Sequence, residues 1–176
     1  MVIPNVGYPA GLEALRVLQE AWPGGARATR EGGRALWRRR GRIAARGVYG
    51  SVLPRLLSAL RALHPDVATW VVEDGYGRML SRPGLDPRTR EMIAIALLAV
   101  GGWERQLVSH LLGARRLGAA RDAIARALAI GLAGASPATR LVASRAKAMA
   151  FRKNSATPGR APRPARAARA PRPAGS

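Results

Sequence analysis

Cysteine is absent from all 176 residues. That removes disulfides, thiolate nucleophiles and cysteine-based zinc sites together. Histidine is nearly absent: His64 and His110 are the two imidazoles, too few for a three-histidine metal site. Asp and Glu total ten, so a carboxylate-rich cage for a hard cation is not expected. Neither a metal nor a cofactor is therefore expected. Aromatics are 5% of the chain while hydrophobic residues are 48%. The core must be built from Leu, Ala, Val and Ile, and Leu and Ala favour helix. Long apolar runs are missing too. Met92 to Gly102 is the longest, far short of the ~20 residues that a membrane span needs. Met1 to Gly11 carries neither a basic n-region nor an apolar h-region, and the expectation is a cytoplasmic protein.

Positive charge is abundant. The formal net charge is +20, and Lys147 and Lys153 are the only lysines among the basic residues. Eight arginines and one acid, Glu31, fall within residues 27–46, and seven basic residues with no acid lie between Arg152 and Ser176. Such charge favours anionic partners but says little about fold. Residues 27–46, with Arg38-Arg39-Arg40 at their centre, and the tail are candidate contacts for nucleic acid or another polyanion. Binding of that kind is steeply salt dependent and weakly sequence selective. No helix-turn-helix or RNA-binding motif accompanies the charge, and Trp37 alone interleaves it. The competing reading is a solvated face.

Hydrophobic spacing predicts helices throughout. Gly11–Trp22 is a short amphipathic helix with Leu12, Leu15, Val17 and Leu18 apolar, ended by Pro23-Gly24-Gly25. Residues 27–46 form a basic helix with a thin stripe of Leu36, Trp37, Ile43 and Ala44. Val48–Leu63 is a stronger helix, with Pro54 tolerable near its first turn. His64-Pro65 breaks it. Pro65 opens the next helix, which runs to about Leu80 and buries Val67, Trp70, Val71 and Tyr76. Asp86 as N-cap and Pro87 at the first helical position start the helix 87–100. That helix is apolar nearly all round after Glu91, which suits a core or an oligomer interface. Helices follow over Trp103–Leu117, Ala119–Leu132 and from Ser136-Pro137 to about Phe151. No alternating pattern of strand length is visible, so the fold is expected to be all-α. From about Asn154 the Pro-, Ala- and Arg-rich tail reads as disordered. The expected division is a basic helical segment over 1–47, a helical domain over 48–152 and the tail over 153–176.

The stretch from His64 to Leu128 resembles the carboxymuconolactone decarboxylase family, grouped with the AhpD-like alkylhydroperoxidases. The resemblance rests on Gly75-Tyr76-Gly77, on Ser81-Arg82-Pro83-Gly84-Leu85-Asp86, and on Arg88-Thr89-Arg90-Glu91. It continues through the apolar helix to His110, Ala114 and Gly118. It implies a bundle of about six to eight helices, assembled as a homo-oligomer, commonly a trimer or hexamer. It also implies a site beside helices 87–100 and 103–117. In the thiol-peroxidase branch that site holds a glutamate, a Cys-x-x-Cys pair and a histidine. Glu91 and His110 match the first and last of these, while the cysteine positions fall on Trp103 and Gln106. Without a sulfur nucleophile the redox reaction of that branch is excluded.

The decarboxylase branch normally lacks the cysteines and removes carbon dioxide from a carboxylated lactone. For that chemistry His110 is the candidate acid/base, with Glu91 to orient it. Arg82, Arg88 and Arg90 are the candidate carboxylate site, and Trp103 and Gln106 the candidate pocket lining. The alternatives stay open at this point. His110 and Glu91 also fit a structural polar pair at an interface, and the arginines fit a solvated turn. His64 fits a capping or packing role. A Trp103 that plugged the pocket would favour a non-catalytic scaffold whose basic segments dock an anionic partner or a larger complex.

Overall fold

The computed structural model describes residues 3–24 and 32–152. The expected disordered tail and the first part of the basic stretch lie outside the described residues. Within them the fold is all-α, and no strand is present. No helix among them is long and apolar enough to cross a membrane.

Helix α1 covers Ile3–Ala21 and is broken at Gly7, whose φ of 77° breaks the helical path. Glycine takes that conformation at little cost. Pro9 follows, in the opening turn of the longer part. The helix thus begins before Gly11, the expected start. Leu12, Leu15, Val17 and Leu18 form no core here; all four are exposed.

Helix α2, Arg34–Tyr49, ends at Gly50, whose N–H bonds to the Arg46 carbonyl at a φ of 58°. A 3-10 turn over Gly50–Val52 leads into α3, Leu53–Leu63. The single helix expected over 48–63 is therefore split, because the left-handed backbone at Gly50 terminates α2. Pro54 sits in the first turn of α3, where its missing N–H costs nothing.

Helix α4, Val67–Trp70, passes directly into a π-helical stretch, Val71–Leu80. The helical register to Leu80 is as the spacing predicts, but the wider π winding is not. Trp70, expected in the core, is exposed. It stacks on His64 with ring centroids 5.4 Å apart, and His64 Nδ1 accepts the Asp66 N–H at 3.2 Å. Packing and local capping are thus what His64 does.

The remaining helices are α5 (Pro87–Val100), α6 (Glu104–Arg116), α7 (Arg121–Gly131) and α8 (Pro137–Phe151). Two side chains cap them as expected. Asp86 accepts from the N–H groups of Arg88 and Thr89, and Ser136 accepts from Thr139.

Two clusters hold the elements together. Ile95, Leu98, Leu107, Leu111, Ile124 and Leu128 form the larger one, across α5, α6 and α7, with the alanines of α8 closing it. Each fully buried aliphatic side chain contributes roughly 1.5–3 kcal/mol. Ala45, Val48, Leu53 and Tyr76 form the second, between α2, α3 and the π stretch. The close approach of α2 to the π stretch depends on two glycines. A Cβ on Gly41 would collide with the Val72 carbonyl, and one on Gly77 with the Trp37 carbonyl. Helix α2 also runs through the boundary drawn at residues 47 and 48.

Candidate active site

Glu91 lies in the second turn of α5 and His110 in the middle of α6. The N-cap at Asp86 fixes where α5 starts, and hence which way Glu91 points. Both side chains are buried, with residue exposures of 4% and 7%. His110 Nδ1 stands 3.0 Å from Glu91 Oε2. When Nδ1 carries the proton it donates to Glu91, and Nε2 is left with its lone pair. No described group bonds to Nε2.

The pair sits in a wall between two cavities. Glu91 faces one of about 400 Å³, with Arg40, Arg82 and Arg90 around it and Ile43, Val48, Leu80 and Leu117 among its apolar walls. His110 faces the other, of about 350 Å³, with Tyr49, Trp103 and Gln106. Tyr76 and Leu80 line both.

Trp103 does not fill the space. It is 55% exposed and stands at the rim of the His110 cavity. Gln106 is exposed beside it. The two positions where a redox pair would sit thus border an open cavity.

The three candidate arginines separate. Arg82 is half-buried and lines the Glu91 cavity. Arg90 is buried and also lines it, but its guanidinium donates to the Leu85 carbonyl at 3.0 Å and to the Arg82 carbonyl. It therefore staples the 82–85 turn to α5. Arg88 is exposed and outside both cavities. Its backbone N–H is used to cap the helix, as is that of Thr89.

Sequence reasoning left three residues out of the site. Arg40 was visible only as part of the basic run at 38–40, yet its helix position turns it into the Glu91 cavity. Tyr49 and Tyr76 stand edge-on to each other, with centroids 5.8 Å apart. The signal for Tyr76 was its place between Gly75 and Gly77, where small neighbours let a helix pack tightly around one large side chain. Burial pushes both phenols above their ordinary pKa, and Glu91 adds to the rise.

Gly113, one turn after His110, completes the wall. A Cβ there would lie 2.6 Å from Val48 Cγ1 and 2.8 Å from Glu91 Oε2. Only a residue without a side chain leaves the carboxylate where it is.

The arginines of α2 outside the cavity divide as well. Arg38 and Arg34 bond to Glu73 at 2.7 and 3.0 Å. Glu73 is buried, and Arg38 first, then Arg34, hold its carboxyl below the usual carboxylate range against the opposing effect of burial. Arg39, Arg42 and Arg46 are exposed and make no ion pair with described residues.

Residues 65–149 match the Carboxymuconolactone decarboxylase family, and this region, from just before α4 into α8, is a member of that family. The match extends beyond the stretch whose motifs carry the resemblance, through α7 and most of α8. It leaves out α1 to α3, although α2 supplies Arg40, Val48 and Tyr49 to the cavity walls. No curated protein matches the chain.

Proposed function

We propose that the Glu91–His110 site acts on a small carboxylated molecule, as a decarboxylase-like lyase on a carboxylated lactone. One observation carries this reading. A buried Glu–His pair, 3.0 Å apart, borders a cavity of about 400 Å³ that is apolar but fringed by arginine. Pockets of this size hold small ligands, with a few polar groups fixing orientation.

The division of the arginines supports one pose. The substrate carboxylate belongs in the Glu91 cavity, whose lining includes Arg40 and Arg82 but not Arg88. Glu91 then faces the substrate, and His110 backs it from the second cavity. The carbon–carbon bond to the carboxylate breaks and carbon dioxide leaves. The electron pair passes into the lactone, and the developing negative charge settles on its carbonyl oxygen. The Glu91–His110 pair returns one proton to carbon and regains one from water. A positioned acid/base group contributes typically ~100- to 10,000-fold to such a step. This arrangement exchanges the two roles expected from sequence: Glu91 touches the substrate and His110 orients and recharges it.

The homo-oligomer, a trimer or hexamer, belongs to the same proposal. The exposed Leu12, Leu15 and Leu18 of α1 support it, since contiguous exposed apolar surface usually marks an interface.

A second reading has one observation in its favour. Arg39, Arg42 and Arg46, exposed and without an ion pair among the described residues, suit a non-catalytic scaffold that docks an anionic partner. Carbon dioxide release from carboxymuconolactone by the full chain separates the two. Release that His110→Ala abolishes, with the oligomer intact, is the result for an enzyme. No release sinks the lyase; release that His110→Ala leaves unchanged sinks the assignment of His110 to the reaction.

A further inference from the structure

Helix α1 is not one continuous rod. Gly7 has φ 77° and ψ 175°, a backbone region essentially closed to residues with a side chain. Ile3 lies against Gly11: a Cβ on that glycine would stand 2.7 Å from Ile3 Cγ1. Eight residues of unbroken helix would hold the two about 12 Å apart along the axis, so residues 3–6 fold back along α1. Ile3, Asn5 and Val6 are half-buried, whereas Tyr8, Pro9 and Ala10 are exposed. Gly11 is the one buried residue of α1.

The folded-back turn covers a site. Pro4 and Asn5 line the His110 cavity of about 350 Å³, together with Trp103 and Gln106. His110 Nδ1 is engaged by Glu91. Its Nε2 makes no hydrogen bond to a described group and is not among the fully buried atoms without a partner, so the cavity gives access to it. The turn is lightly held. Its apolar anchors, Ile3 and Val6, are only half-buried, and segments with few buried apolar contacts open most readily. Gly7 is uncrowded: a Cβ there would meet nothing closer than Pro9 Cδ, at 3.9 Å.

We propose that residues 3–6 are a strap, hinged at Gly7, that closes the His110 cavity and on swinging out admits small molecules to His110 Nε2. Hinges of this kind are a few residues at the ends of elements that absorb the backbone change, and Gly7 has both the place and the conformation. The strap acts in the same way whatever the Glu91 cavity binds. A molecule that passes it meets the Nε2 lone pair when Nδ1 carries the proton shared with Glu91. Val71 and Leu98 supply apolar wall. The cavity therefore suits a small, mainly apolar molecule with one hydrogen-bond donor.

Diethyl pyrocarbonate, a small neutral reagent that acylates unprotonated imidazole nitrogen, tests this on the full chain. The two histidines serve as site and reference, since His64 is exposed. Peptide mass spectrometry follows both rates. In the wild type His110 reacts more slowly than His64. Gly7→Ala adds a methyl that touches little but disfavours the closed backbone. The expected result is a rise of about tenfold in the His110 rate, from strain of the size usual at such a position, with the His64 rate unchanged. Ile3→Ser loosens the other end of the strap and raises the His110 rate as well. Melting temperature and helical content stay close to the wild type, because residues 3–6 place no side chain in the buried core. A His110 rate equal to the wild type's in either variant overturns the strap. A joint rise at His64 and His110 with a lower melting temperature also overturns it, in favour of general loosening. A wild-type His110 that reacts as fast as His64 shows an open cavity and overturns it too.

Discussion

His110 and Glu91 share a hydrogen bond of 3.0 Å yet open on different cavities. A structural polar pair has no need of such an arrangement, since both members are commonly sealed by their neighbours. Here each partner keeps one face toward space large enough for a small molecule. The pair thus links an arginine-fringed cavity to one bordered by Trp103 and Gln106.

Arg82 and Arg40 are predicted to hold the substrate's carboxylate. Arg82→Gln and Arg40→Gln should each raise KM with a smaller effect on kcat. Hydrogen bonds to charged groups are worth about 1.5–3 kcal/mol, which corresponds to roughly 10- to 150-fold. Steady-state carbon dioxide release measures it. Arg88→Gln serves as the comparison and should leave KM unchanged. An equal effect from Arg88→Gln would show that bulk positive charge, not the cavity, sets affinity.

Gly113 is predicted to guard the position of Glu91. Gly113→Ala puts a methyl 2.8 Å from Glu91 Oε2 and 2.6 Å from Val48 Cγ1. Overpacking of this kind costs typically ~1–3 kcal/mol, and the displaced carboxylate should lower turnover further than the stability loss explains. Thermal melting and turnover, measured on the same preparation, check both. Full turnover in a normally folded variant would show that the Glu91–His110 geometry is not needed.

Glu73 predicts a pH dependence. Its carboxyl is held below the usual range, chiefly by Arg38. As pH falls, the unfolded chain therefore takes up the proton first. The stabilisation is complete above the unfolded glutamate pKa of about 4.3 and is lost as pH falls through the lower folded value. Glu73→Gln should melt lower than the wild type at neutral pH, with the gap closing in acid. Arg34 and Arg38 are largely exposed, so salt should narrow the gap as well. A gap that stays constant from pH 7 to pH 3 would contradict the assignment.

The exposed apolar side of α1 predicts an assembly contact. Leu15→Glu with Leu18→Glu should reduce the mass of the assembly in light scattering without changing helical content. An unchanged mass would place the interface elsewhere.

The helices were legible because their signals are local. Asp86-Pro87 and Ser136-Pro137 announce two starts, and aliphatic spacing marks α5 to α8. The split at Gly50 was hidden because an apolar stripe runs on across a glycine whose backbone sign no pattern reveals. The π winding of 71–80 was equally hidden, since one extra residue per turn barely alters spacing over so short a stretch. Glu91 and His110 came from matching motifs, and the structure brings them together. Arg40 and Tyr49 could not be placed that way. They reach the site through tertiary packing of α2, outside the matched region, and the glycines that allow it, Gly41 and Gly77, only reveal their purpose once the two backbones are seen in contact.

The central claim is that the Glu91 cavity takes a carboxylated lactone. A crystal structure of the full chain with a carboxylated lactone that cannot lose carbon dioxide tests it most directly. The account predicts the ligand in that cavity, its carboxylate on Arg40 and Arg82 and its ring against Glu91 and Tyr76. A ligand seated instead beside Trp103 and Gln106, or absent from both cavities at saturating concentration, would contradict it.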